Sequence, residues 1–219
     1  GAEVVTPAGA VIEASEDENA ELLWALRGGG GNFGVATRLD FRLHPLDGVV
    51  GGQLTYTGKG VREGLRYFRD VVAGSPRDLS CQAGLSVDES LTPALWIAPC
   101  YTGSSSDPEE LRTLRSAPGL VDDGVRAHTF FDQQSLFDSP YGENRHYWKG
   151  HFVRELPDEL IDELVARVTG FDRPGNQILI ESLHGAPKDV DGTFGALAWR
   201  TAAFNVSAMA IWQAADDDE

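Results

Sequence analysis

Apolar and polar residues alternate in short runs along most of the chain, and only a few stretches repeat at helical spacing. Ala2–Val5 and Ala10–Ala14 alternate on either side of Thr6-Pro7-Ala8-Gly9, a turn sequence, and together predict a β-hairpin. Ser15 followed by Glu18 matches a capping box ahead of a helix that carries Leu22, Leu23 and Leu26 on one face and ends at Arg27. The four glycines Gly28–Gly31 stop it, because successive glycines are costly in a helix. Val35, Thr37, Leu39, Phe41 and Leu43 then alternate as a strand closed by His44-Pro45.

A shift in composition at Asp47-Gly48 and Gly51-Gly52 marks a boundary, so the chain divides into residues 1–46 and 47–219. Beyond it the pattern predicts strands at Val50–Thr57, Ser80–Val87, Ala94–Tyr101, Val125–Phe131, Tyr147–Arg154, Gln177–Leu183 and Phe204–Trp212. Helices are predicted at Val61–Ala73, with Leu65, Phe68 and Val72 inward, and at Pro157–Val168. Asp107-Pro108-Glu109-Glu110 is a third helix start, with proline and acid in the first turn. Strands follow one another as often as they alternate with helices. The expected class is therefore α+β, a mostly antiparallel sheet with helices on one face, preceded by a small hairpin, helix and strand unit. No internal repeat is visible.

Composition narrows the partners. With 34 acidic and 18 basic residues the net charge is −16, and only Lys59, Lys149 and Lys188 are lysines. Such a surface repels phosphate backbones and anionic membranes, and reads first as a solubility device. No apolar run approaches the roughly 20 residues that span a bilayer. Asp216–Glu219 reads as a solvated acidic end. Cys81 and Cys100 lie in predicted strands without metal-ligand spacing, and read as buried thiols, with a bridge between them left open. The chain opens at Gly1 with no basic and apolar leader, so its ends read as cut or processed, and a cytoplasmic location is expected.

The densest motif is Leu23-Trp24-Ala25-Leu26-Arg27-Gly28-Gly29-Gly30-Gly31-Asn32-Phe33-Gly34-Val35. Gly29, Gly31 and Gly34 satisfy G-x-G-x-x-G, but a helix precedes them and a strand follows. A dinucleotide fingerprint needs the reverse order, so that reading is excluded. Two readings of the glycines remain: a flexible surface loop, or bare main chain placed close to a flat or anionic ligand.

The stretch from Glu3 through Ser15-Glu16-Asp17-Glu18-Asn19 and Leu23–Val35 to Phe41-Arg42-Leu43 resembles the end of the PCMH-type FAD-binding half of berberine-bridge-enzyme-like, FAD-linked oxidases. His146–Phe152, followed by Glu155-Leu156, Ile178–Ala186 and Ala203-Phe204-Asn205 resemble segments of their substrate-binding domain, whose sheet roofs the flavin ring. The resemblance implies FAD as cofactor, with Gly28, Gly29, Gly30, Gly31, Asn32, Phe33, Gly34 and Val35 against it. It implies residues 1–46 as the last part of the FAD-binding domain and 47–219 as the substrate-binding domain. It implies hydride transfer to flavin from an alcohol, amine or carbohydrate-like substrate, with O2 as final acceptor.

The family's upstream pyrophosphate loop, its flavin-attaching histidine and cysteine, and its downstream return segment have no counterpart here. The chain alone is thus expected to bind FAD weakly or not at all, and to associate, as a homo-oligomer for instance, through an uncovered edge of the flavin unit. The family's catalytic acid position falls on Ser207 or Ala208, neither of which is a base. Glu181 on an adjacent strand can serve if it faces the flavin, or can point outward and pair with an arginine. Tyr147 and Lys149 can line the pocket and polarise a substrate hydroxyl, or merely decorate a strand. His146 and His151, five apart on one strand, face opposite sides and cannot share a metal. Asn205-Val206-Ser207 is a formal glycosylation sequon in a strand expected to be buried. Trp96, Trp148, Trp199 and Trp212 suit sugar stacking or core packing equally. The competing function is a non-catalytic module that has lost flavin and binds a small molecule or partner.

Overall fold

A computed structural model describes residues 1–138 and 144–215, so the acidic tail lies outside the described residues. The chain forms two compact units, Gly1–Pro45 with Ala186–Thr201, and Leu46–Gly185 with Ala202–Glu219. The first unit's opening segment ends at Pro45. The grouping of Ala186–Thr201 with the first unit was not anticipated, since those residues were expected to sit wholly within the second.

In the first unit, β1 (Ala2–Val5) pairs antiparallel with β2 (Val11–Ala14) and with β3 (Val35–Leu39), in the order β2-β1-β3. The hairpin closes through Thr6 N to Ala10 O at 2.9 Å, with Gly9 at φ 77° where other residues are strained. Ala2, Val4 and Ala14 bury one face against Leu23 of α1 (Ala20–Leu26). The expected capping box is displaced. Ser15 Oγ accepts from Glu18 N at 2.9 Å and shapes a turn, while Asn19, in left-handed conformation, precedes the helix without a side-chain cap. β3 stops at Leu39 rather than Leu43. Its partner β1 begins at Ala2, and the last pairing bond runs from Asp40 N to Gly1 O at 2.9 Å, so Phe41 and Leu43 have no strand to pair with and are exposed.

The second unit is a nine-stranded antiparallel sheet built on the order β10-β12-β11-β6-β7-β4-β9. Its strands are β4 (Val49–Gly51), β5 (Leu54–Thr57), β6 (Leu79–Val87), β7 (Pro93–Tyr101), β8 (Leu120–Asp123), β9 (Arg126–His128), β10 (Arg145–Val153), β11 (Gln177–Ser182) and β12 (Phe204–Trp212). β7 pairs β4 at one end and β5 along the other, and β8 pairs β5. The single strand expected over Val50–Thr57 is broken because Gly52 takes φ 127° and packs directly on the Gly124 carbonyl. The strand expected over Val125–Phe131 ends at His128. Thr129 and Asp132 form a reciprocal capping box there and start α4 (Phe130–Gln134).

Helices α2 (Gly60–Gly74), α3 (Glu109–Ser116) and α5 (Asp158–Val168) cover one face. Leu65 and Phe68 of α2 and Ile161 of α5 bury against Leu79, Ala83, Leu85, Leu95, Ile97, Ile178 and Ile180 of the sheet. Tyr56, fully buried, donates its hydroxyl to the Leu114 carbonyl at 2.8 Å, and burial pushes its phenol well up. Above this core, Arg62 of α2 meets Asp162 of α5 at 2.9 Å, and Arg66 and Arg69 both reach Asp158. The α+β class, mainly antiparallel with helices on one face, is as expected.

Cys81 and Cys100 are free. The register pairs Cys81 with Pro99 and Ser80 with Cys100, one step apart, so the two thiols point to opposite faces and cannot be bridged. Burial raises both thiol pKa values, and both are inert as thiolates at neutral pH.

Candidate functional site

Among the described residues the sheet's second face carries only the short α4 and the turn after it, and the register assembles it from alternate residues. One row across four strands is Ala98, Gln82, Glu181 and Asn205. The next is Trp96, Gly84, Leu179 and Ser207, ending on Gly150 of β10. The third is Ala94, Ser86, Gln177, Met209 and Trp148. Amides, hydroxyls and one carboxylate thus alternate with aromatic and small residues over a face that the helices leave open.

Two cavities lie on this face. One, of about 570 Å³, is lined by Gln53, Gln82, Ser86, Trp96, His146, Trp148, Gln177 and Met209 among others. The second, of about 550 Å³, is lined by Ser80, Gln82, Cys100, Gln133, Phe137 and Glu181 among others. Gln82 and Phe137 border both. The aromatic floor depends on one glycine. A Cβ at Gly84 would fall on Cε2 and Cζ2 of the Trp96 indole, so the ring lies flat on bare main chain. Phe137 packs on that indole with centroids 5.0 Å apart at 41°. It is carried there by α4, whose Gln133 amide occupies the space a side chain at Gly51 would need and meets His128 Nε2 at 2.8 Å.

Glu181 lies on this face, and Asn205 Nδ2 donates to its Oε2 at 2.7 Å. That amide fixes the carboxylate's orientation, and no arginine pairs with it among the described contacts. Asn205 Oδ1 is buried without a partner beside Gly150. The side chain is engaged inside the sheet, which agrees with discounting the sequon. Of the two positions aligned with the family's acid, Ser207 lies on the same sheet face as Glu181 and Ala208 on the opposite one.

The structure does not bring Tyr147 and Lys149 to Glu181. In β10 they alternate with His146, Trp148 and Gly150, and so project from the other face, both exposed, Tyr147 by 60%. This corrects the expectation that they line the same pocket. His146 does line the larger cavity, while His151 faces away, as their spacing required. Sequence reading missed the Trp96–Gly84 pair, Gln82 and Gln177. A glycine opposite a tryptophan in two adjacent strands was the available signal, but it needs the register to be seen.

The glycine motif belongs to the first unit. Gly28, at φ 121°, packs against Leu197 with its Cβ position 2.6 Å from that backbone nitrogen, and a Cβ at Gly34, at φ 138°, would come 2.8 Å from Val4 Cγ1. Gly29 is pressed on the Ala25 carbonyl and the Phe33 ring. These three glycines are required by the chain's own packing. Gly30, at φ 69°, and Gly31 differ, since side chains there would meet nothing. With Asn32 they form an exposed 3-10 turn pinned by Asn32 Nδ2 to Gly29 O at 2.8 Å. Gly30–Asn32 is thus the part of the motif whose bare main chain has open space in front of it. Val35 is exposed at its edge.

Among the described residues no group of three or more His, Cys, Asp or Glu is placed to hold a metal, and no helix is long and apolar enough to cross a membrane. No family model matches the chain. Relatives and solved structures do. The FAD-linked oxidoreductase aurO of Gibberella zeae is 31% identical over 172 residues, covering 74% of this chain and 33% of the relative. Physcomitrella patens BBE-like 1 superposes with a TM-score of 0.81 at 17% identity, over 99% of this chain and 50% of that one. A carbohydrate oxidase from Microdochium nivale, solved with a substrate analogue, superposes at 0.76 and 18% identity, over 100% and 50%. Fold and site together define the class: the α+β fold of berberine-bridge-like flavin oxidases, with a small sheet unit and an open-faced antiparallel sheet. The chain is a partial match to FAD-linked oxidoreductases and has the berberine-bridge-like fold, and it spans about half or less of the length of the relatives it matches.

Proposed function

We propose that the intact protein is an FAD-dependent oxidase of small molecules bearing an alcohol, amine or carbohydrate-like group, with O2 as acceptor, and that the open sheet face binds the substrate. Bound FAD would supply the hydride acceptor. This chain would supply three things. Trp96 and Phe137 offer an aromatic platform for the substrate's flat or apolar side. Gln82, Gln177 and Ser86 offer donors and acceptors that orient its polar groups. Glu181, oriented by Asn205, accepts the proton released from the substrate hydroxyl or amine as the adjacent C–H bond is oxidised. Gly30–Asn32 would lie against the cofactor. The exposed Val35, Leu39, Phe41 and Leu43 suit covering by the rest of the flavin-binding half, or by a second copy.

The observation that carries this reading is the carboxylate, held by an amide, that lines one of two adjoining cavities on the open face of the sheet. The test is Glu181→Gln in the intact holoprotein. Turnover should fall by about 10²–10⁴, the usual contribution of a general base, with flavin retained. Undiminished turnover would remove Glu181 from the chemistry.

A second reading, a binding module without flavin, is favoured by the three glycines whose role is internal packing. The colour of the intact protein separates the two: a yellow flavin spectrum supports the oxidase, and a colourless protein supports the module.

A further inference from the structure

The first unit contains a contact that neither the family resemblance nor the proposed chemistry uses. Ala186–Thr201 interrupts the second unit in sequence, yet its contacts are with the first. It is shaped locally by Asp191, whose Oδ1 accepts from Thr193 N at 2.8 Å and from Thr193 Oγ1 at 2.6 Å, with Phe194 N closing the turn on Asp191 O at 3.0 Å. The consecutive residues 193–197 then meet Trp24, Arg27 and Gly28. Trp24 Nε1 donates to Thr193 O at 2.7 Å, and Ala196 N donates to Trp24 O at 3.2 Å. The second bond satisfies one of the carbonyls that a helix leaves unpaired at its end. Arg27 lies over the Phe194 ring, 4.3 Å from its centroid. Gly195 has no side chain because the Arg27 carbonyl fills that space, and Gly28 has none because Leu197 does.

We propose that residues 193–197 form a clasp that fixes the end of α1, and through it the direction in which Gly30–Asn32 leaves the helix, making Phe194 and Gly195 positioning residues for the bound flavin. The physical reason is entropic. Four glycines in sequence have a wide choice of backbone conformations, and a turn that must present main chain to a planar ligand needs one of them held. Hydrogen bonds anchor the turn from the far side, where Asn32 meets Gly29. The clasp anchors it from the near side at Trp24, Arg27 and Gly28. The W-A-L-R-G half of the motif is thereby given a role separate from the G-G-N half: the first grips the clasp, the second faces the ligand. This rests on the flavin reading above.

The experiment uses the intact protein and follows flavin release by the rise in free-flavin fluorescence, together with the flavin absorption spectrum. Phe194→Ala removes the ring beneath Arg27, and Gly195→Ala forces the Arg27 carbonyl aside. Each should speed release about tenfold and shift the flavin spectrum. Phe194→Tyr keeps the ring and should restore wild-type release, which a mere folding defect at this position would not distinguish by stability alone. Wild-type release rates and spectra in both Phe194→Ala and Gly195→Ala overturn the inference. A colourless wild-type protein refutes the oxidase reading instead. Limited proteolysis then decides the clasp: faster cleavage within residues 186–201 in Phe194→Ala supports it, and equal cleavage overturns it.

Discussion

Gly84 offers the sharpest test of the open face, because the structure fixes the sign of its substitution. In an ordinary strand, replacing glycine by alanine removes backbone freedom from the unfolded chain and stabilises by ~0.5–1 kcal/mol. At Gly84 the added methyl would occupy the position of Cε2 and Cζ2 of Trp96. Either the sheet yields, at the ~1–3 kcal/mol typical of overpacking, or the indole swings away and loses its contact with Phe137, worth ~0.5–1.5 kcal/mol. Set against the backbone gain, the first route leaves a net loss of up to ~2.5 kcal/mol and the second one of up to ~1 kcal/mol. For a chain of this length each kcal/mol moves the melting temperature by about 2–4 °C, so Gly84→Ala should lower Tm by up to roughly 10 °C. Scanning calorimetry measures the shift, and tryptophan emission reports whether the indole has moved toward water. A double-mutant cycle isolates the cause: in a Trp96→Ala background the same substitution should become neutral or stabilising. A raised Tm in Gly84→Ala alone would show that the indole does not lie on this glycine, and the aromatic floor of the proposed substrate site would go with it.

Two further outcomes follow from the core and the helical face. Tyr56→Phe removes one of the two donors to the Leu114 carbonyl, which keeps Ala117 N at 3.1 Å, and should lower stability by ~0.5–1.5 kcal/mol, read as a reduced urea midpoint at unchanged m-value. Asp158 is held below the ordinary carboxylate range, first by its hydrogen bond from Arg69 and then by the charges of Arg66 and Arg69. A depressed folded-state value means that its contribution is complete above the unfolded value of about 3.9 and is lost as pH falls through the folded one. Wild type should therefore melt above Asp158→Asn at neutral pH, and the two curves should converge on acidification below about pH 4. A gap that persists unchanged at the lowest pH would contradict the assignment.

Much of the scaffold was legible because its strands alternate cleanly. β12 runs from Phe204 to Trp212 as the pattern required, and α2 and α5 lie within a residue or two of their expected limits. Failures came where short-range chemistry overrode an apolar run. Val125–Phe131 reads as a strand by hydrophobicity, but Thr129 and Asp132 carry a capping box that turns its second half into helix. Leu120–Asp123 has two aspartates in four residues and reads as loop, yet it pairs with β5. At the site, Glu181 was placed on its strand by sequence, but the role of Asn205 as its partner depends on a cross-strand register that a single strand's pattern does not encode. Tyr147 and Lys149 were chosen for their chemistry; parity puts them on the opposite face from Glu181, and parity also depends on register. The clasp was invisible for a different reason: it rests on two glycines, one ring and main-chain bonds between residues about 170 apart.

That separation has a temporal side. Gly1–Pro45 leaves the ribosome about 140 residues before Ala186 is made. At ~5–20 residues per second, α1 waits some 7 to 28 s during synthesis with its last carbonyls and the ring-facing side of Arg27 uncovered. The smaller unit is thus finished late although its first segment is made before the larger unit, and a nascent chain stalled anywhere before Thr201 would carry it incomplete.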